Sequence, residues 1–137
     1  MMKELTHIAG AAALVFSLSA VTSVGQGLND DKEVERRLLV AAVGNEIKDN
    51  CPTIEVRTIA ATFFVLGIVT YAKGEGYSLD EIDAYRHDPV QQEKLRVATY
   101  AYLDSHGVNR EDPQSYCPLG QAEIKQGSEI GKLIKNK

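Results

Sequence analysis

The chain has 137 residues and a mass of 15.0 kDa, of which 44% are hydrophobic, 25% charged and 7% aromatic. That length fits one small domain, and the apolar fraction is too high for a disordered chain. Fifteen Lys+Arg against 19 Asp+Glu leave a net charge of −4, which argues against a nucleic-acid binder; two cysteines exclude a knottin-like framework and a Cys-rich zinc module.

Residues 1–27 have the pattern of an export signal. A short polar start with Lys3 leads into Ile8 to Val24, which carries no charge and is rich in Ala, Leu, Val and Ser. Small residues follow, and Asn29-Asp30-Asp31 opens a charged region. No cysteine stands directly after the apolar run, which argues against a lipid-anchored protein. An uncleaved N-terminal anchor is the alternative, although the run is short for the ~20 apolar residues of a spanning helix. The expected product is a single domain over residues 28–137 in the periplasm or outside the cell. In such a compartment Cys51 and Cys117, 66 positions apart, most simply form one disulfide. Catalytic dithiols usually sit close in sequence, and this pair does not.

The rest of the chain reads as helical throughout, with no hairpin signal. The first helix is expected from Asp30 or Asp31 to about Lys48. Its apolar stripe is Val34, Leu38, Leu39, Ala42, Val43 and Ile47, and Cys51-Pro52 stops it. The second is expected from about Thr53 to Ala72 or Lys73. Thr58 to Ala72 carries no charge, and at ~1.5 Å per residue it reaches only ~22 Å, short of a ~30 Å bilayer core. That predicts a buried central helix and no membrane span in the mature chain. Ser78 and Glu81 form a capping box for a short third helix to about Arg86, with Leu79, Ile82 and Tyr85 inward. Asp88-Pro89 starts a fourth that runs to about Ser105, with Leu95, Ala98, Ala101 and Tyr102 on one face; Gly107 follows it. The last is expected from about Leu119 to Leu133, with Gly127 and Gly131 allowing close helix contact. The predicted fold is all-α: a compact bundle of about five helices around the apolar second one, stapled by one disulfide.

Chemistry is sparse along the chain. Asp83, His87 and Asp88 are one histidine with acids, a weak metal signature. Gly76 to Ile82 fails the register of a calcium loop, since Ile82 stands where the bidentate acid belongs. Asp104-Ser105-His106 has the letters of a hydrolase triad, but adjacent residues rarely converge on one point. No catalytic, metal or cofactor-binding set emerges. Arg57 and Glu123 each lie within about two helical turns of the expected disulfide, so they form a candidate buried pair; both being solvated is the alternative. Phe63, Phe64, Tyr77 and Tyr85 form a candidate interaction or ligand surface, core-edge packing being the plainer reading of the tyrosines.

The C-terminal pattern Cys117-x-x-Gly120-x-x-Glu123-Ile124-x-x-x-Ser128-x-Ile130-Gly131 resembles the closing motif of a domain-of-unknown-function family of small exported alphaproteobacterial proteins. Cys51-Pro52, the apolar second helix and Gly76-Tyr77 are similar to its earlier parts. The resemblance implies export, an all-helical domain and a disulfide, and it implies no activity. The resulting expectation is an exported, non-enzymatic helical protein that contacts a protein partner in the envelope. The alternative is a small apolar-ligand carrier whose pocket lies beside the second helix.

Overall fold

The computed structural model describes residues 27–137, so the expected export signal, apart from Gly27, lies outside the described residues. A 3-10 turn over Leu28–Asp30 leads to Asp31. The Asp31 carboxylate accepts the N–H groups of Glu33 and Val34, each at 3.0 Å, and starts α1, Lys32–Asn50. Val34, Val40, Val43, Gly44 and Ile47 are its buried face. Cys51 ends it in extended conformation, as a residue before proline must.

The fold is helical as expected, and what happens next adds one small two-stranded sheet to it. The chain from Thr53 does not enter the second helix. Ile54–Val56 forms β1, paired antiparallel with β2, Ile134–Asn136, with Glu55 opposite Lys135. Ile54 is fully buried, and its N–H donates to the Cys51 carbonyl at 3.2 Å rather than across the sheet. The C-terminal residues bond to its neighbours instead. Glu55 and Lys135 add an ion pair at 3.1 Å, and the Lys137 N–H donates to the Thr53 carbonyl at 3.0 Å.

The apolar helix α2, Thr58–Gly74, begins five residues later than expected and is not the centre of the bundle. Only Ile68 and Ala72 are buried, whereas Ile59, Phe63 and Leu66 are 75%, 70% and 54% exposed. The central position belongs to α1, which packs against α2, α4, α5 and α6. A continuous apolar run fixes that a helix can be buried on all sides; it does not supply enough neighbours to cover it.

The next two helices start where their caps place them. Ser78 and Glu81 exchange both bonds of the capping box and open α3, Leu79–His87. Ile82 and Tyr85 turn inward but Leu79 is exposed, because it stands at the first helical position, before the chain meets its neighbours. Asp88 caps α4, Pro89–Ser105, through the Val90 N–H at 2.8 Å. The buried residues of α4 are Gln91, Thr99 and Leu103, so its inner face is rotated away from the expected Ala98 and Ala101, which are exposed.

The expected last helix is two. α5, Tyr116–Gln126, ends at Gly127 in the left-handed region (φ +62°), and α6, Glu129–Leu133, restarts with Ser128 as N-cap. Pro118 falls in the first turn of α5, where no intrahelical N–H bond is lost. Gly131 lies against the backbone of Glu123, so the close contact expected of the glycine pair is between α6 and α5. Cys51 and Cys117 are disulfide-bonded, with Cα atoms 5.1 Å apart. The bridge joins the end of α1 to the first turn of α5, inside a core that includes Val43, Ile47, Ile54, Leu103, Leu119 and Ile134. A smaller core of Leu28, Val34, Ile68 and Ala72 fills the other end of α1.

Candidate functional site

The smaller core is incompletely filled. The N-terminal half of α1, the C-terminal half of α2, α3 and the start of α4 surround a hollow of about 200 Å³. Val34 and Leu38 face it from α1, Val65, Ile68, Val69 and Ala72 from α2, Ile82 and Tyr85 from α3, and Gln91 and Leu95 from α4. A second hollow of about 310 Å³ runs between α1 and α4 and shares Leu38, Tyr85, Gln91 and Leu95 with the first. Its rim is charged. Glu35 takes Lys32 at 2.8 Å and is also paired with Lys94, and these two ammonium groups hold its carboxyl below the usual range. Beside it Glu33 is pulled down to about 2, by its bond to Arg36 and then by that to Arg37. Arg36 also pairs with Glu129 across to α6.

A third, polar hollow of about 540 Å³ lies at the far end, lined by Glu46, Tyr100, Asp104, Arg110 and Glu111 among others. Arg110 bonds Asp104 at 3.0 Å and stacks over the Tyr100 ring at 4.3 Å. Asp104 is thus paired with Arg110, while Ser105 Oγ lies 3.1 Å from His106 Nδ1. His106 Nδ1 lies 2.7 Å from the Tyr102 carbonyl, and Ser105 Oγ donates to the same carbonyl at 2.8 Å. His87 Nδ1 sits 2.9 Å from the Asp83 carbonyl. Among the described residues, no three His, Cys, Asp or Glu side chains are grouped to hold a metal ion, and no helix is long and apolar enough to cross a membrane.

The two polar residues singled out from the sequence are engaged separately. Glu123 is buried; Tyr102 Oη donates to it at 2.6 Å, and Ser128 donates to its other oxygen. Burial, and then the Glu123 carboxylate, push the Tyr102 phenol well above its ordinary value, so it stays a donor. Arg57 is exposed and donates Nε to the Ile134 carbonyl at 3.2 Å, while its backbone N–H donates to Leu133 at 2.7 Å. Both residues secure the α6–β2 segment, from opposite ends, without bonding each other.

The four aromatic residues divide in the same way. Phe63 points outward on α2, and Phe64 packs against both cores. Tyr77 is half-buried, with its hydroxyl 3.5 Å from Asp31 Oδ2. Only Tyr85 lines the hollows. The residue that the sequence reading missed is Gln91. Its one sequence signal is its place at the third position of α4, in register with Leu95, and a glutamine there reads as solvated.

Comparison with curated proteins finds no match, and comparison with solved structures finds none either. A family model described as a family of unknown function (DUF5333) matches residues 26–135, nearly the whole described domain. The chain belongs to that family.

Proposed function

We propose that this chain is an exported envelope protein that acts by contact with a protein partner, and that the outer face of α2 is its docking surface. The observation that carries this is the stripe Ile59, Phe63 and Leu66. These residues stand at positions i, i+4 and i+7 on one side of a helix with no charged residue between Thr58 and Ala72, and all three are open to solvent. Exposed apolar stripes of this kind mark interaction sites. A partner suited to it presents an uncharged apolar helix or strand face. Export is supported by the uncharged run Ile8 to Val24 and by the disulfide, which persists in oxidising compartments.

A photocrosslinking residue at position 63, expressed in the native envelope, tests both parts. The expected result is a reproducible adduct that is lost on Leu66→Asp and not formed from Glu111, an exposed loop position. Equal labelling from both positions, or none from 63, would dismiss the docking surface; recovery of the chain only from cytoplasm would dismiss export.

The hollow beside α2 favours a second reading, a small carrier for an apolar ligand. The cavity lies next to the second helix, but Val65, Ile68, Val69 and Ala72 line it rather than Phe63 and Phe64. Saturable binding of a small apolar probe, followed by calorimetry, tests it; its absence would remove this reading and leave the first.

A further inference from the structure

The composition of the outer face of α2 narrows what can cover it. Ile59, Phe63 and Leu66 are joined by Val65, 50% exposed at the edge of the stripe, and by the exposed Thr58, Thr62 and Thr70. The threonines add little polarity. Thr62 Oγ1 donates to the Thr58 carbonyl at 2.8 Å, and Thr70 Oγ1 donates to the Leu66 carbonyl at 2.9 Å. Those donors are spent inside their own helix, so the face offers a polar partner little to bond. No charged side chain stands between Thr58 and Ala72, and Lys73 closes the stripe with an ammonium on a flexible stem that lies readily over apolar surface. A matching surface is therefore apolar, uncharged and without hydrogen-bonding demand. A second α2 is such a surface.

Size and symmetry agree with that match. The four large apolar side chains leave open roughly 500 Å², within the ~300–600 Å² of the largest patch on a typical monomer. With Thr58, Thr62, Thr70 and the stem of Lys73, all exposed, the face approaches the ~800 Å² that each partner gives to a standard interface. The stripe is also evenly placed about Leu66: Thr62 and Thr70 stand four residues to either side of it, Ile59 and Lys73 seven. An isologous dimer needs a face that meets itself after a two-fold rotation. We propose that the protein is a homodimer in which α2 packs antiparallel against α2 of a second copy, with Leu66 on the two-fold axis. Thr62 of one copy then lies beside Thr70 of the other, and Ile59 beside the stem of Lys73. The two Lys73 residues fall about 21 Å apart along the helices at ~1.5 Å per residue. The net charge of −4 is carried outside α2, so no acid opposes an acid across this face. The proposal rests on the docking reading above and names the occupant of that surface.

Sedimentation equilibrium of the purified, disulfide-bonded protein is expected to show a reversible monomer–dimer equilibrium with a midpoint in the micromolar range. Leu66→Asp sets two carboxylates together on the axis and should weaken the dimer at least about 100-fold. Val97→Asp, the same kind of change at an exposed residue of α4, should leave it within about twofold. Leu66 and Val97 are both 54% exposed, so both variants are expected to fold. Under mild oxidation Leu66→Cys should cross-link to itself, and Ile59→Cys only to Lys73→Cys. A monomer at every concentration overturns the proposal, as does a dimer that survives Leu66→Asp, one that Val97→Asp also abolishes, or self-pairing of Ile59→Cys. A monomer that floats with phosphatidylglycerol vesicles overturns it by making lipid the occupant. The position-63 adduct separates this proposal from the docking reading. An adduct of two copies of the chain supports both, an adduct with another protein overturns the homodimer alone, and no adduct ends both.

Discussion

A methyl group at Gly131 would overlap the carbonyl of Glu123, because α6 turns back onto α5 with no room for a Cβ. Gly131→Ala is therefore expected to cost about 1–3 kcal/mol, read as a lower urea midpoint at unchanged slope. Tyr102→Phe removes one of the two hydroxyl donors to the buried Glu123, and about 1–3 kcal/mol should go with it. The pairing of Glu123 was not legible in the sequence. Its place near the disulfide was, but a tyrosine 21 positions away on another helix meets it only after the chain has folded. Gln91 escaped for a related reason: burial is set by the neighbours, and a residue type that is usually solvated gives no sign of them.

Helix starts were the most legible feature at the scale of elements, since each depends on residues two or three apart. Asp31, Ser78 and Asp88 all cap where their sequence places them. Asp31 accepts two backbone N–H groups, so Asp31→Ala should cost about 1 kcal/mol in thermal or urea unfolding. The strands were illegible because each is three residues long and its partner lies at the other end of the domain. Local pattern cannot report a pairing of that range. The outer face of α1 makes a prediction about acid. Arg36, and then Arg37, hold Glu33 at about 2 against an ordinary 4.5. Its stabilising contribution is complete above the ordinary value and is lost as the pH falls through about 2. Glu33→Gln should accordingly lose less stability than the native protein between pH 5 and 2, measured as urea midpoints across that range.

The disulfide was legible for the whole molecule because it was read from the cysteine count and the expected export signal rather than from packing. A loop of this length stabilises by roughly 4 kcal/mol in the chain-entropy model, against ~5–15 kcal/mol for an entire domain. The Cys51→Ala/Cys117→Ala double variant, or the reduced protein, should unfold at a clearly lower urea concentration, and thiol titration of the native protein should find no free thiol among residues 27–137. Which helix occupies the centre was not legible. Hydropathy singles out α2, but burial requires neighbours on every side, and α1 has them. The β1–β2 pairing carries a consequence for the order of events in the cell. Ile134 belongs to the same core as Ile47 and Ile54, yet it is synthesised some eighty residues after them. A nascent chain still attached to the ribosome lacks the residues that cover those two isoleucines, so this core can close only after the C-terminal strand has been made.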